Sequence, residues 1–443
     1  MKTTATGLNT TTRQAAIALA VLFVVALFNY IDRSIVSILQ EPIKKDLGLS
    51  DAQLGAITGL SFALFYTTLA LPIARLADRT VRKRLIAVAF ATWSLMTALS
   101  GLATSFLMLV GFRVGVALGE AGCVPASHSL ISDYFPQRRR ATAIAIWGLS
   151  LPLGTMLGFA SGGWLAAHFD WRQAFLTVGL AGVALSGFVL LLREPKRGQF
   201  DTGLAASDEP MPLKAVIGKL WSLRSFRWLA LGGALHAYAQ HTMVNWNAPF
   251  YARVHHLTIG EIALALALLF GVGGGLGQFV GGLLVDRAGR HDRRWYMWLP
   301  ALASLLLVPA ALAQYFVADP KVSLLIGVIP AILLNVYLAP IVATAQTLVP
   351  SRMRAFTSAT LVMIVNILGL GLGPVVTGAI SDLLSQQYGL GPDALRYAIS
   401  TCLVASLAAS WAFYRSAAHL PAEMSAADEA QAVPALNPAA EPA

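Results

Sequence analysis

Apolar stretches of about 20 residues or more recur along the whole chain, parted by short polar segments rich in arginine. A helix rising ~1.5 Å per residue needs about 20 such residues to cross the ~30 Å hydrocarbon core of a bilayer. The pattern predicts twelve membrane-spanning helices, over about 14–40, 52–77, 83–103, 105–134, 139–167, 172–192, 226–252, 260–285, 294–316, 322–348, 353–382 and 394–417. The expected fold class is all-α and polytopic. The first run is too long for the apolar core of a signal peptide and no A-x-A-type cleavage site follows it, so it is expected to stay as a span.

Composition agrees with a lipid environment. Of 443 residues 56% are apolar and 12% charged, against about 25% charged in soluble domains. Placement of the basic residues then tests the helix count. With a cytoplasmic amino terminus, the inner segments hold 24 of the 32 Lys and Arg. The outer ones hold six (Lys44, Lys45, Arg172, Arg253, Lys321 and Arg396), and Arg33 and Arg113 fall within spans. A missed helix would scramble this alternation. It predicts a multi-pass protein of the inner (plasma) membrane with both termini cytoplasmic. The net charge of +10 is thus a topology signal and a lipid-headgroup contact, and nucleic acid is not an expected partner. Cys123 and Cys402 both lie in apolar runs, which argues against a disulfide framework or a Cys metal site.

The chain repeats itself. LADRTVRKR, with Asp78, corresponds to LVDRAGRHDRR, with Asp286, 208 positions on. PQRRRATA from Pro136 corresponds to PSRMRAFTSA from Pro350, and LPLGTMLGFASGG after Pro152 to GLGPVVTGAISD around Pro374. Three landmarks in one order at nearly one offset predict two six-helix halves. The expected organisation is a cytoplasmic segment 1–13, a bundle 14–192, a linker 193–225, a second bundle 226–417 and a cytoplasmic tail 418–443. Leu213, Val216, Ile217, Leu220 and Trp221 share one face at the end of the linker, with Lys214, Lys219 and Arg224 elsewhere, as in a helix lying on the inner leaflet. The tail from Leu420, rich in Ala, Pro and Glu, is expected to be disordered.

Two six-helix halves, each with an acidic-basic motif between its second and third helix, resemble the major facilitator superfamily. GGLLVDRAGRHDRR is close to that superfamily's G-x-L-x-D-R-x-G-R-R loop; ARLADRTVRKR departs from it at Ala74 and Val81. The resemblance implies two bundles working by alternating access, a monomer, and a gating role for Asp78, Arg79, Arg82, Asp286, Arg287 and Arg290. Asp78 can accept hydrogen bonds at the amino terminus of a neighbouring helix, where the dipole is positive.

Charges inside the apolar runs are the candidate chemistry. NYIDR puts Asp32 and Arg33 in helix 1, and helix 4 carries Arg113 and, two turns deeper on the same face, Glu120. Asp32 lies about 12 Å, and Arg113 about 10 Å, from the outer ends of their helices. In the superfamily's architecture helices 1, 4, 7 and 10 line a central cavity, so the two can be neighbours. A lone charge at mid-bilayer costs about 2.5 kcal/mol or more and usually faces a partner or a water-filled path. Asp32 is therefore expected to pair with Arg113, and Glu120 to sit deeper without a fixed partner. Arg33, about 100° away from Asp32, is expected to snorkel or to bond backbone carbonyls. A carboxylate that gains and loses a partner as the halves rock can take up and release a proton, which makes Asp32 and Glu120 the proton-coupling candidates.

The second half is less charged. Tyr238, His241 and Asn245 share one face of helix 7, and Asn335 and Gln346 one face of helix 10; cavity lining and interhelical hydrogen bonding are both open to them. Arg113, Tyr238, His241, Asn245 and Asn335 are the substrate-binding or ion-pair candidates. His255 and His256 lack further ligands at metal-site spacing. No H-E-x-x-H, G-x-S-x-G or Cys/His cluster occurs, so neither enzymatic activity, a metal nor a cofactor is expected.

NYIDR, GEAGCVPASHSLISDYFP, LPLGTMLG, DWRQAF and REPKRG together resemble the Spinster branch of the superfamily. Spinster-like proteins move lysophospholipids and sphingosine 1-phosphate, and their functional charges map onto Asp32, Arg113 and Glu120. The resemblance implies a secondary transporter, coupled to protons, whose partners are membrane lipids and an amphipathic substrate. Its arginine can meet a lipid phosphate bidentately. A small organic anion or drug is the alternative cargo.

Overall fold

The computed structural model describes residues 5–198, 200, 213–350 and 353–432. Ten of its helices are long and apolar enough to cross a membrane: α1 Thr12–Ile38, α2 Asp51–Leu69, α4 Phe106–Tyr134, α5 Gln137–His168, α6 Trp171–Leu190, α8 Ile259–Gly289, α9 Trp295–Phe316, α10 Pro320–Thr347, α11 Phe356–Tyr388 and α12 Gly391–Ala426. Two more complete the twelve among the described residues. The 19 residues of α3, Arg82–Ser100, span about 28 Å but open on Arg82, Lys83 and Arg84. The 30 residues of α7, Arg224–Arg253, are diluted by His236, Gln240, His241, Asn245 and Asn247. Both fall short in apolarity, not in length. The Leu213–Ser222 stretch is a separate short helix.

Chain contacts group into two compact units, Met1–Ala205 with Val244–Val272 and Pro374–Leu395, and Ala206–Met243 with Gly273–Gly373 and Arg396–Ala443. In the first unit α1 and α5 pack backbone to backbone. A methyl group added at Gly158 would lie 2.7 Å from Ser34 Cβ and 2.8 Å from Ile31 O, and one at Gly154 2.7 Å from Leu27 O. Lipid offers apolar side chains no hydrophobic gain over each other, so this close approach of small residues supplies the packing energy. In the second unit Val216 and Leu220 of the short helix are buried with Phe226, Leu229, Phe413 and Leu420, while Ile217 and Trp221 stay exposed.

Three helices are widened locally by π-type turns, at Ala56–Leu60, Ala267–Gly273 and Asn366–Gly371. Others break outright. Helix α4 is interrupted at Ala121–Gly122, where Pro125 cannot donate to the Ala121 carbonyl, and α10 at 334–337, where Pro340 likewise frees the Val336 carbonyl. Helix α12 continues to Ala432, and the rest of the expected carboxy-terminal tail, 433–443, lies outside the described residues. Leu420 is buried, and Glu423 accepts hydrogen bonds from the backbone N–H of Arg224 (2.8 Å) and Ser225 (3.1 Å) and from the Ser225 hydroxyl. Caps of this kind satisfy the orphan donors of a helix start and tie Glu423 of α12 to the start of α7.

Candidate functional site

The charges of α1 and α4 meet in the first unit. Asp32 and Arg113 are both 2% exposed, with Arg113 Nη1 donating to Asp32 Oδ2 at 2.8 Å. Matching depth on two neighbouring helices makes this pair, as the sequence predicts. Thr97 of α3 donates to Asp32 Oδ1 and also lies 3.0 Å from the Trp93 carbonyl. Its one hydrogen can serve either acceptor, so Asp32 is satisfied as a carboxylate or, with Thr97 turned to Trp93, as an acid that donates to Thr97.

Glu120 departs from expectation. It is fully buried, and its Oε2 accepts from Arg33 Nε at 2.9 Å and Nη2 at 2.8 Å, so it has a partner. Arg33 correspondingly neither snorkels nor serves backbone carbonyls. The reason is lateral reach: the break in α4 follows Glu120 directly, and the long arginine spans from α1 to meet it. The guanidinium of Arg33 lies 4.6 Å from the Phe62 ring centroid, 4.9 Å from Tyr66 and 5.7 Å from Tyr30, and that of Arg113 5.7 Å from Phe62. Two carboxylates and two guanidiniums thus form one cluster with no net charge, joined over an aromatic ring of α2. Within it Glu120 Oε1 and Arg113 Nε are buried without a protein hydrogen-bond partner, and the Arg33 side chain is 29% exposed.

Other predicted positions are placed elsewhere. Asn245 Oδ1 accepts from Ser37 Oγ at 3.0 Å and its carbonyl from Gln40 Nε2 at 2.8 Å, within the first unit. In the second unit Asn335, in the break of α10, accepts from Gln240 Nε2 at 3.1 Å and donates to the Ala331 carbonyl at 2.9 Å. Gln240 in turn accepts from Tyr337 at 3.1 Å. Next to it, buried His236 meets Ser304 Oγ at 2.8 Å and the Leu334 carbonyl at 3.3 Å. Tyr238 and His241 are half-buried in the same unit. Sequence reasoning missed His236, Gln240, Ser304 and Tyr337, and the proline-marked break in α10 was the available signal.

The motif residues separate too. Arg82 is buried, reaching Asp133 at 2.5 Å, Glu194 at 2.9 Å, Ser129 Oγ at 2.9 Å and the Pro195 carbonyl at 3.2 Å. Glu194 also caps the start of α3 through the N–H groups of Arg82 (3.3 Å) and Lys83 (3.1 Å). The segment after α6 is thereby riveted to the α2–α3 loop and the end of α4. Arg79, Asp286, Arg287 and Arg290 are exposed, Asp286 accepting a long 3.4 Å hydrogen bond from Tyr296. The side chain of Asp78 lies outside the described set.

A second charge group was not foreseen. On the Lys/Arg-poor side of the first unit, Arg253 at the end of α7 reaches both oxygens of Asp51 at 2.7 Å and Glu41 at 2.6 Å. Asp51 also takes Lys44 at 2.5 Å and Ser381 Oγ at 2.7 Å. Asp382 of α11 caps α2 by accepting from Asp51 N at 2.9 Å and Ala52 N at 2.8 Å. Sequence reading had Lys44 and Arg253 only as topology markers.

Residues 22–368 and 232–437 match the family model described as Major Facilitator Superfamily. An MFS-type efflux pump of Mycolicibacterium smegmatis is 33% identical over 380 residues, covering 85% of this chain and 87% of its own. Protein spinster homolog 3 of Danio rerio is 27% identical over 426 residues, covering 88% and 82%. Among solved structures, a bacterial homolog of the human lysosomal transporter Spinster, inward-facing and unoccupied, matches at TM-score 0.85 and 29% identity, covering 93% of this chain and 98% of that one. Twelve helices in two repeated halves, ion pairs buried between apolar helices and these matches agree: the chain belongs to the major facilitator superfamily and is similar to its Spinster branch.

Proposed function

We propose that the protein is a proton-coupled secondary transporter of the plasma membrane, working by alternating access on an amphipathic, lipid-like anion of the lysophospholipid or sphingosine 1-phosphate type. The observation that carries this is the neutral cluster Asp32–Arg113–Arg33–Glu120. A proton added at Glu120 Oε1 removes the charge that holds Arg33. The Arg33 guanidinium, already partly exposed and backed by Phe62 and Tyr66, is then available to a phosphate, which its planar fork suits. Asp32 and Arg113 remain paired and keep α1 and α4 in register. The lipid cargo is what the resemblance of the sequence motifs to the Spinster branch implies. A second reading, export of a small organic anion or drug, is favoured by the efflux-pump relative and by the hydrogen-bonding set Gln240, Asn335 and Tyr337, which suits a hydroxylated cargo. In this reading Tyr238 and His241 contribute to the same substrate face, both termini are cytoplasmic and the protein acts as a monomer.

The test is uptake of a labelled lysophospholipid by proteoliposomes, with and without a pH gradient, for wild type and Glu120→Gln. Gradient-driven uptake that the variant loses supports the proposal. Gradient-driven uptake by both moves the proton site away from Glu120. No uptake above empty vesicles by folded protein overturns the lipid cargo and brings the organic anion forward.

A further inference from the structure

Away from the central charges, the second unit carries an arginine that no acid among the described residues pairs with. Arg415 of α12 lies 5.7 Å from the ring centroid of Trp228 on α7 and 5.7 Å from that of Trp411, one turn before it. The two indoles meet edge to face, 4.8 Å apart at 83°. Both guanidinium–ring distances are within cation–π range, so the rings hold the charge in place. No group among the described residues accepts a hydrogen bond from its N–H donors. Arg224, one turn before Trp228, and the exposed Arg227 beside it are in the same position, and the short helix ends nearby with exposed Trp221. Among the described residues, the acid Glu423 nearby is already spent on the amino terminus of α7.

Trp411, on the membrane-span candidate α12, is 53% exposed, and Trp221, on the short helix before α7, 56%. Amphipathic rings of this kind settle at headgroup level. We propose that Arg415, Arg224 and Arg227, framed by Trp228, Trp411 and Trp221, form a binding site for the phosphate of an anionic phospholipid of the inner leaflet. Charge complementarity selects the occupant. Three cations with unfilled donors suit a phosphodiester, the indoles cover its glycerol and upper acyl carbons, and a zwitterionic headgroup would bring its own ammonium into the cationic patch. Because the short helix and α12 meet α7 here, the lipid would brace the start of the second unit. The site stands independently of the transported cargo.

The test titrates dioctanoyl phosphatidylglycerol into the detergent-purified full-length protein and reads binding by microscale thermophoresis. Dioctanoyl phosphatidylcholine and inorganic phosphate serve as parallel ligands. Wild type should prefer phosphatidylglycerol to both. Arg415→Ala should weaken that binding about tenfold, the size of one charge-assisted bidentate contact, and Arg415→Lys should fall between. Arg139→Ala, an exposed basic residue of the first unit, should leave it unchanged. Size-exclusion profiles establish that each variant is folded. Equal binding of the two lipids, equal binding of inorganic phosphate, or an Arg139→Ala loss as large as that of Arg415→Ala would each overturn the site in favour of diffuse charge attraction. An Arg415→Ala variant that binds like wild type would overturn it as well.

Discussion

Arg253 is the cation that Asp51 and Glu41 share in the charge group on the Lys/Arg-poor side, and its removal gives a measurable equilibrium shift. Its guanidinium serves Asp51, whose side chain is 3% exposed, and Glu41, which is 16% exposed. Replacing it with alanine leaves Asp51 with Lys44 and Ser381 and Glu41 with neither of its contacts. Hydrogen bonds to charged groups contribute about 1.5–3 kcal/mol each when buried, and partly exposed pairs much less. With the arginine itself 15% exposed, a net loss of about 2–3 kcal/mol is reasonable. If this group holds the outer ends of α1, α2, α7 and α11 together, the closed arrangement loses that much against any open one. The open population should then rise about 30- to 150-fold.

Ser37 reports on such opening, because it is buried beneath the group and bonded to Asn245. With Cys123 and Cys402 replaced, a cysteine at position 37 should react slowly with a membrane-impermeant maleimide added from outside. In the Arg253→Ala background the rate should climb by one to two orders of magnitude, and Arg253→Lys should fall between. A rate within about threefold of the parent, in protein that stays monodisperse, would refute the assignment of these charges to closure.

Three further outcomes follow from the same contacts. Arg82→Ala should destabilise the protein by about 3–5 kcal/mol, because it removes the buried cation that joins Asp133, Glu194 and Ser129; the half-life of the monodisperse peak on heating should collapse, with Glu194→Gln milder. Gly158→Ala should cost about 1–3 kcal/mol through overpacking of α1 against α5, read as a lower melting temperature, whereas Gly187→Ala, with open space at its Cβ position, should melt like wild type. Thr97→Val should slow transport about tenfold by removing the alternate partner of Asp32, and Thr97→Ser should restore it, as proteoliposome uptake will show.

The helices were legible because lipid imposes a length and a polarity that few residues can evade. Even α3 and α7, with their arginines and amides, were placed by the alternation of basic loops. The Asp32–Arg113 pair was legible for a related reason: two opposite charges at equal depth have few other partners. Glu120 was not, because helical periodicity gives the face of a residue but not the sideways reach of an arginine on another helix. The contacts of Asp51, Arg253 and Asp382 were hidden further. They join residues 202 to 331 positions apart in sequence, and each alone reads as an ordinary loop charge. The first residues of the tail were hidden in another way: composition does not show that Leu420 finds a buried site and Glu423 a helix terminus lacking acceptors, where tertiary contact decides.

Charge balance links the central cluster to a cycle. Asp32, Glu120, Arg33 and Arg113 sum to zero, so the arrangement seen places no net charge among the apolar helices. A proton on Glu120 alone leaves one positive charge there, and an anion alone leaves one negative charge. Either costs about 2.5–3.5 kcal/mol on insertion scales. Proton and monoanion together restore neutrality, with Arg33 exchanging the carboxylate of Glu120 for that of the cargo or for its phosphate. A cluster built this way disfavours half-loaded forms by roughly a hundredfold, which is what coupling requires: movement must be rare with one ligand and easy with both or neither. Under the proposed function, the pairing of Glu120 with Arg33 is therefore the source of the coupling, and the spare oxygen Oε1 is where the proton enters it.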